Sequence, residues 1–196
     1  MIRPATLEDA PAIARAHVAA WSEAYAGVVP EGFLASLSYK QRRARWEASL
    51  AENRETVLIE EREGQLAGVI AFGPSHDPDR DGTETGEIYV LFVAPAFWRK
   101  HVGTSLIEEA ERRIARVGAR RLTHWVIARH VAGRRFCEHA GFRSDGAQRQ
   151  GRFRSERLKL IRYTKVLRAF APPPWLTLRN PVRQPALAHA PHLATH

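Results

Sequence analysis

The chain has 196 residues, 44% hydrophobic and 26% charged, a globular balance that excludes a disordered or fibrous polymer. Its single cysteine, Cys137, excludes a disulfide scaffold and any structural zinc site built on several cysteines. The formal charge of +9 comes from 30 basic residues, 26 of them arginine, against 21 acids, a surplus that attracts nucleic acid, acidic membrane or a phosphorylated cofactor without choosing among them. The longest apolar stretch, Ile88 to Trp98, has 11 residues and a proline, short of the roughly 18 that span a bilayer. The N-terminus shows no apolar core or cleavage pattern. The expectation is a soluble, cytoplasmic protein with no membrane partner.

In chain order, Ile2-Arg3 reads as a short strand. Thr6 offers an N-cap with Asp9 three residues on, and Ile13, Ala16, His17, Ala20 and Trp21 follow at helical spacing. Shorter helical pieces run from Val29-Pro30 to about Ala51. Thr56 to Glu61 and Leu66 to Phe72 read as a hairpin about Arg62-Glu63-Gly64. The polar stretch from Pro74 to Gly86 is a loop. Glu87 to Val93 is apolar on both sides after its first residue and belongs at the centre of a sheet. Gly103 to Val117 is an amphipathic helix stopped by Gly118. A strand over Leu122 to Ile127, a helix over Val131 to His139 and two closing strands, to about Arg149 and from Arg157 to Val166, complete a mixed α/β sheet domain.

Beyond about residue 168 the character changes. Residues 169–196 hold six of the twelve prolines and no acid, so this stretch is expected to be an extended or disordered tail. Trp175 and Leu176 are candidates to dock on the body or on a second subunit, which makes a homodimer an expectation to test.

No dinucleotide fingerprint, Walker loop, H-E-x-x-H or G-x-S-x-G is present. The nine histidines lack ligand spacing, so no metal is expected. What remains is the junction from Val93 to Thr104: a central strand, a short basic loop with Arg99 and Lys100, and a helix start rich in small residues. Helix N-termini present unpaired amides and partial positive charge, and so take phosphate. An ordinary strand-to-helix turn with a solvated Arg-Lys pair has the same sequence.

The segment from Glu87 through Pro95 to Gly103-Thr104-Ser105-Leu106-Ile107 resembles the central motif of the GNAT superfamily of acyl-CoA-dependent N-acetyltransferases. Phe136-Cys137-Glu138-His139-Ala140-Gly141-Phe142 is similar to that family's F-Y-E-x-x-G-F helix end. The opening Ile2-Arg3-Pro4-Ala5-Thr6 and the closing Ile161 to Leu167 resemble its first and last strands. The ordered set covers residues 1–168. It implies a mixed, mostly antiparallel sheet with splayed central strands flanked by helices, and acetyl-CoA as acyl donor without a metal. Carried over by position, Leu91, Phe92 and Val93 line the pantetheine arm, and Arg99, Lys100, His101, Val102, Gly103 and Thr104 cradle the pyrophosphate. Glu87 takes a general-base position, which a strand-end carboxylate paired with an arginine would also occupy. Trp21, Tyr25, Trp46 and Tyr89 fall toward the amine acceptor or into core packing.

Four positions depart from the family pattern. Trp98 and His101 replace a Gln or Arg and the first Gly of the loop. His130 stands for a common Asn on the cofactor side, and Cys137 for the common Tyr that protonates the departing thiolate. Cys137 is therefore a candidate acid, or simply a small buried hydrophobe. The implied activity is acetyl transfer to a primary amine of a small molecule or peptide, by direct attack in a ternary complex. The substituted positions leave open a non-catalytic acyl-CoA-binding protein. Nucleic acid is the weaker alternative, since no basic-aromatic motif accompanies the charge.

Overall fold

The computed structural model describes residues 1–153 and 156–167; the tail expected over 169–196 lies outside them. Seven strands form one sheet: β1 (Ile2–Pro4), β2 (Thr56–Arg62), β3 (Gln65–Pro74), β4 (Thr85–Val93), β5 (Arg121–Ile127), β6 (Arg143–Phe153) and β7 (Glu156–Val166). Among the described residues the α-helices are α1 (Ala10–Ala24), α2 (Glu31–Ala35), α3 (Tyr39–Glu52), α4 (Val102–Arg116) and α5 (Val131–His139). Each expected element is present in the expected order. Thr6 caps a single 3-10 turn, Leu7–Asp9, that feeds α1, and its amide donates to Asp9 Oδ2 at 2.7 Å.

The sheet order is β1-β2-β3-β4-β5-β7-β6, antiparallel except between β4 and β5. β3 alternates its side chains between two cores. Ile70 and Phe72 join Leu106, Ile107, Ala110 and Ile114 of α4 on one face. Val69 and Ala71 join Ile13, Ala14 and Trp46 of α1 and α3 on the other. Both faces are covered, which is why the β3 and β4 segments read as nearly continuous apolar runs. Among the described residues no helix is long and apolar enough to cross a membrane.

Two irregularities in β4 make room for a site. Ala71 pairs with Val90 and Phe72 with Ile88, so β4 carries one extra residue, Tyr89, against β3. Tyr89 and Val90 consequently sit in the same core. A bulge of this kind bends its strand and interrupts pairing. The second irregularity follows on the other edge, where β4 pairs with β5 only from Thr85 to Ile88. Beyond that point the two strands part, although β4 continues to Val93 and β5 to Ile127.

Candidate active site

The parting of β4 and β5 opens a cavity of about 980 Å³. His124 stands at the fork, its Nδ1 2.9 Å from the Ile88 carbonyl. On the β3 side, the Ala94 amide donates to Ala67 O at 2.9 Å, which fixes the phase of the ladder. By alternation the backbone groups of Leu91 and Val93 face the gap. The Val93 carbonyl accepts from Trp98 Nε1 at 2.8 Å, so the residue that departs from the family pattern ties the loop to the strand end. Among the described residues the Leu91 backbone groups have no partner, which suits an added strand.

At the far end of the cavity lies the start of α4. His101 is its N-cap with φ 61°, and Arg99 has φ 59°. A left-handed conformation costs a non-glycine residue about 1–2 kcal/mol, and His is among the residues enriched there. Two such residues in one turn curl successive amides inward, as in an anion nest. Among the described residues none of the amides from Arg99 to Thr104 has an acceptor in the protein. Gly103 is required by close approach, since a Cβ there would lie 2.9 Å from Phe136 Cζ. Arg99, His101, Val102, Gly103 and Thr104 line the cavity. Lys100 does not: its ammonium lies 5.3 Å over the Phe97 ring, and its carbonyl accepts from Arg62 Nη1 at 2.8 Å.

Glu87 opens the other end, buried in the wall. Its Oε2 accepts from the His76 amide at 3.2 Å and from Ser75 Oγ at 3.4 Å. Burial pushes its carboxyl above the usual range and Asp77 adds to that, while the His76 amide, Arg149 and Ser75 pull the other way. The Tyr89 hydroxyl donates to the Pro74 carbonyl and lies 3.1 Å from His76 Nε2; burial raises its pKa. The loop after β3 thus binds both Glu87 and Tyr89, and it is anchored in turn. Arg162 binds Asp77 at 2.9 Å, Asp79 at 2.7 Å and Asp145 at 2.8 Å, and Trp125 Nε1 donates to Asp77 at 3.0 Å.

Of the aromatic residues on the first helices, Trp21 and Tyr25 line the cavity, stacked with centroids 4.3 Å apart. Trp46 does not; it is fully buried in the core and donates to His17 Nδ1 at 3.2 Å. Tyr25 packs against His130, the N-cap of α5, at 4.5 Å. Burial lowers the pKa of His130. Cys137 reaches the wall from α5, but burial pushes its thiol up to about 12, aided by Glu138. Such a thiol gives up its proton reluctantly. Leu91, Phe92 and Val93 are all in the lining. Sequence reasoning missed Arg149, Trp125 and Arg162, which join the site only through tertiary contacts.

The chain as a whole is similar to known proteins. Residues 18–142 match the model of the acetyltransferase (GNAT) family. The chain is 27% identical over 126 residues to the uncharacterized N-acetyltransferase YuaI of Bacillus subtilis (strain 168), covering 64% of this chain and 70% of that protein. Its fold is similar to the PaiA N-acetyltransferase of Thermoplasma acidophilum in complex with coenzyme A, with TM-score 0.65, 19% identity and coverage of 85% and 98%. It is also similar to YncA of Salmonella typhimurium, a putative acetyltransferase solved with acetyl-CoA, with TM-score 0.63, 23% identity and coverage of 88% and 96%. With the family match spanning well over half the sequence, on a sheet whose central strands part above an open helix N-terminus, the chain belongs to the GNAT family of acetyltransferases and is an acyltransferase of that class.

Proposed function

We propose that the protein transfers the acetyl group of acetyl-CoA to a primary amine of a small molecule or peptide, within a ternary complex. One observation carries the reading: a single cavity joins the unpaired edge of β4, the acceptor-free amides of Arg99 to Thr104, and a buried carboxylate. The amides and the Arg99 guanidinium suit a pyrophosphate, and the Leu91 backbone suits the amides of a pantetheine arm. The coenzyme A and acetyl-CoA complexes of the two fold neighbours support this choice.

In the reaction the amine nitrogen bonds to the acyl carbon and the carbon–sulfur bond breaks. Glu87, directly or through a water, takes the proton that the attacking nitrogen sheds, a task its raised pKa favours. The departing thiolate takes its proton from Cys137, which lines the same cavity, or from a water. Trp21 and Tyr25 form an aromatic wall for the acceptor.

Binding is tested by thermal denaturation with acetyl-CoA. Ligand at 100 times its dissociation constant should stabilise the fold by about 2.7 kcal/mol. Absence of any shift at millimolar acetyl-CoA removes the cofactor assignment.

A further inference from the structure

Arg149 lines the same cavity at the Glu87 end, and the general chemistry of acetyl transfer gives it no task. Its guanidinium lies 4.2 Å over the Trp125 ring, which holds the planar group flat against the wall. Its single ion pair among the described residues is with Asp77, at 3.6 Å, and it makes no hydrogen bond there. Asp77 is already committed, to Arg162 at 2.9 Å and to Trp125 Nε1 at 3.0 Å. Arg149 thus lines the cavity with N–H donors available to a ligand there.

The anion that completes it is not part of acetyl-CoA. The cradle for the pyrophosphate lies beyond Val93, six strand residues from Glu87, or about 20 Å at the usual rise per residue. Arg149 instead shares the lining with Glu87 and lies 3.6 Å from Asp77, the neighbour of His76, whose amide holds Glu87 at 3.2 Å; each also shifts the other's pKa. We propose that the acceptor carries a carboxylate close to its primary amine, as an amino acid does, with Arg149 holding the carboxylate while the amine meets Glu87. This rests on the acetyltransferase reading and narrows its substrate class. A planar guanidinium accepts a carboxylate through two parallel bonds, which would fix the amine in one orientation toward the base. The aromatic pair Trp21 and Tyr25 would then meet the side chain of the acceptor.

The test compares each standard amino acid with its decarboxylated amine at saturating acetyl-CoA, for instance L-phenylalanine with phenethylamine and L-tryptophan with tryptamine. Thiol release is the readout. At least one amino acid should exceed its amine by about 10–100-fold in kcat/KM, the size of a lost charge-assisted contact. Arg149→Gln should close that gap, chiefly through KM, and Arg149→Lys should keep part of it. Amines that react as well as their amino acids overturn the proposal, as does an Arg149→Gln variant that keeps the gap. Turnover of none of the pairs, with acetyl-CoA binding intact by calorimetry, also overturns it while leaving the cofactor reading standing. Loss of acetyl-CoA binding in the unmodified protein overturns both. The wild-type comparison decides the matter even if the variants fail to fold.

Discussion

Glu87 is the residue on which the chemistry turns, and its surroundings act on it in opposing ways. Burial favours the protonated form, whereas the His76 amide and Ser75 hydroxyl favour the carboxylate. Its pKa stands above the ordinary 4.5, so a base there becomes active at a higher pH than a surface carboxylate would. Glu87→Gln keeps the shape and removes the basicity. It should lower kcat by roughly 10²–10⁴-fold and erase the acidic limb of the pH–rate profile, with acetyl-CoA affinity retained. The stability sign runs the opposite way. A carboxyl whose folded pKa is raised contributes stability below its unfolded value and loses it as pH rises through the folded one. The Gln variant should therefore melt no lower than the parent at pH 7. A variant with near-parental turnover places the base elsewhere, and one that melts well below the parent shows Glu87 to be structural.

Among the elements, α4 and α5 depend on each other through one glycine. A Cβ at Gly103 would press on the Phe136 ring at 2.9 Å and touch Val93 Cγ2 at 3.5 Å. Gly103→Ala should thus push the first turn of α4 off β4, costing about 1–3 kcal/mol by urea titration, and weaken acetyl-CoA as the amides shift. Adding Phe136→Leu removes the ring and should recover part of both losses. Independent losses in the double variant would disprove the contact. This region was legible in the sequence, because a strand, a proline, a basic loop and small residues at a helix start are local signals. The order of strands and helices was legible for the same reason. The Tyr89 bulge was not, since a run apolar on both faces carries no period from which to read a slipped register. Nor was the fate of Trp46, which has the residue type of an acceptor wall but lies beneath α1, out of reach of the cavity. Arg149 and Trp125 come together across two strands, and no spacing in the chain announces that.

At the scale of the whole molecule, the site depends on an ion cluster that clasps the loop after β3 to the far side of the sheet. Arg162, only 3% exposed, gathers Asp77, Asp79 and Asp145 from segments up to 85 residues away. Its partner Asp77 is also buried, so removing the guanidinium leaves a buried charge held by Trp125 Nε1 and the longer contact to Arg149 rather than merely deleting a surface contact. Breaking such a pair costs about 3–5 kcal/mol. Arg162→Met should lose stability of that order by urea titration at pH 7. Because that loop delivers the His76 amide to Glu87 and continues from Pro74 at the end of β3, whose carbonyl holds Tyr89, turnover should fall with it. The pH dependence separates this from simple loss of packing. Arg162 holds Asp79 down at about 2 against an ordinary 3.8, through their hydrogen bonds above all. A depressed carboxylate contributes stability above its unfolded pKa and loses it as pH falls through the folded one. The gap in stability between parent and variant should accordingly narrow as the pH is lowered from about 4 toward 2. A gap that stays constant over that window, or one below about 1 kcal/mol at neutral pH, would show the cluster to be an ornament of the surface, worth no more than an exposed ion pair.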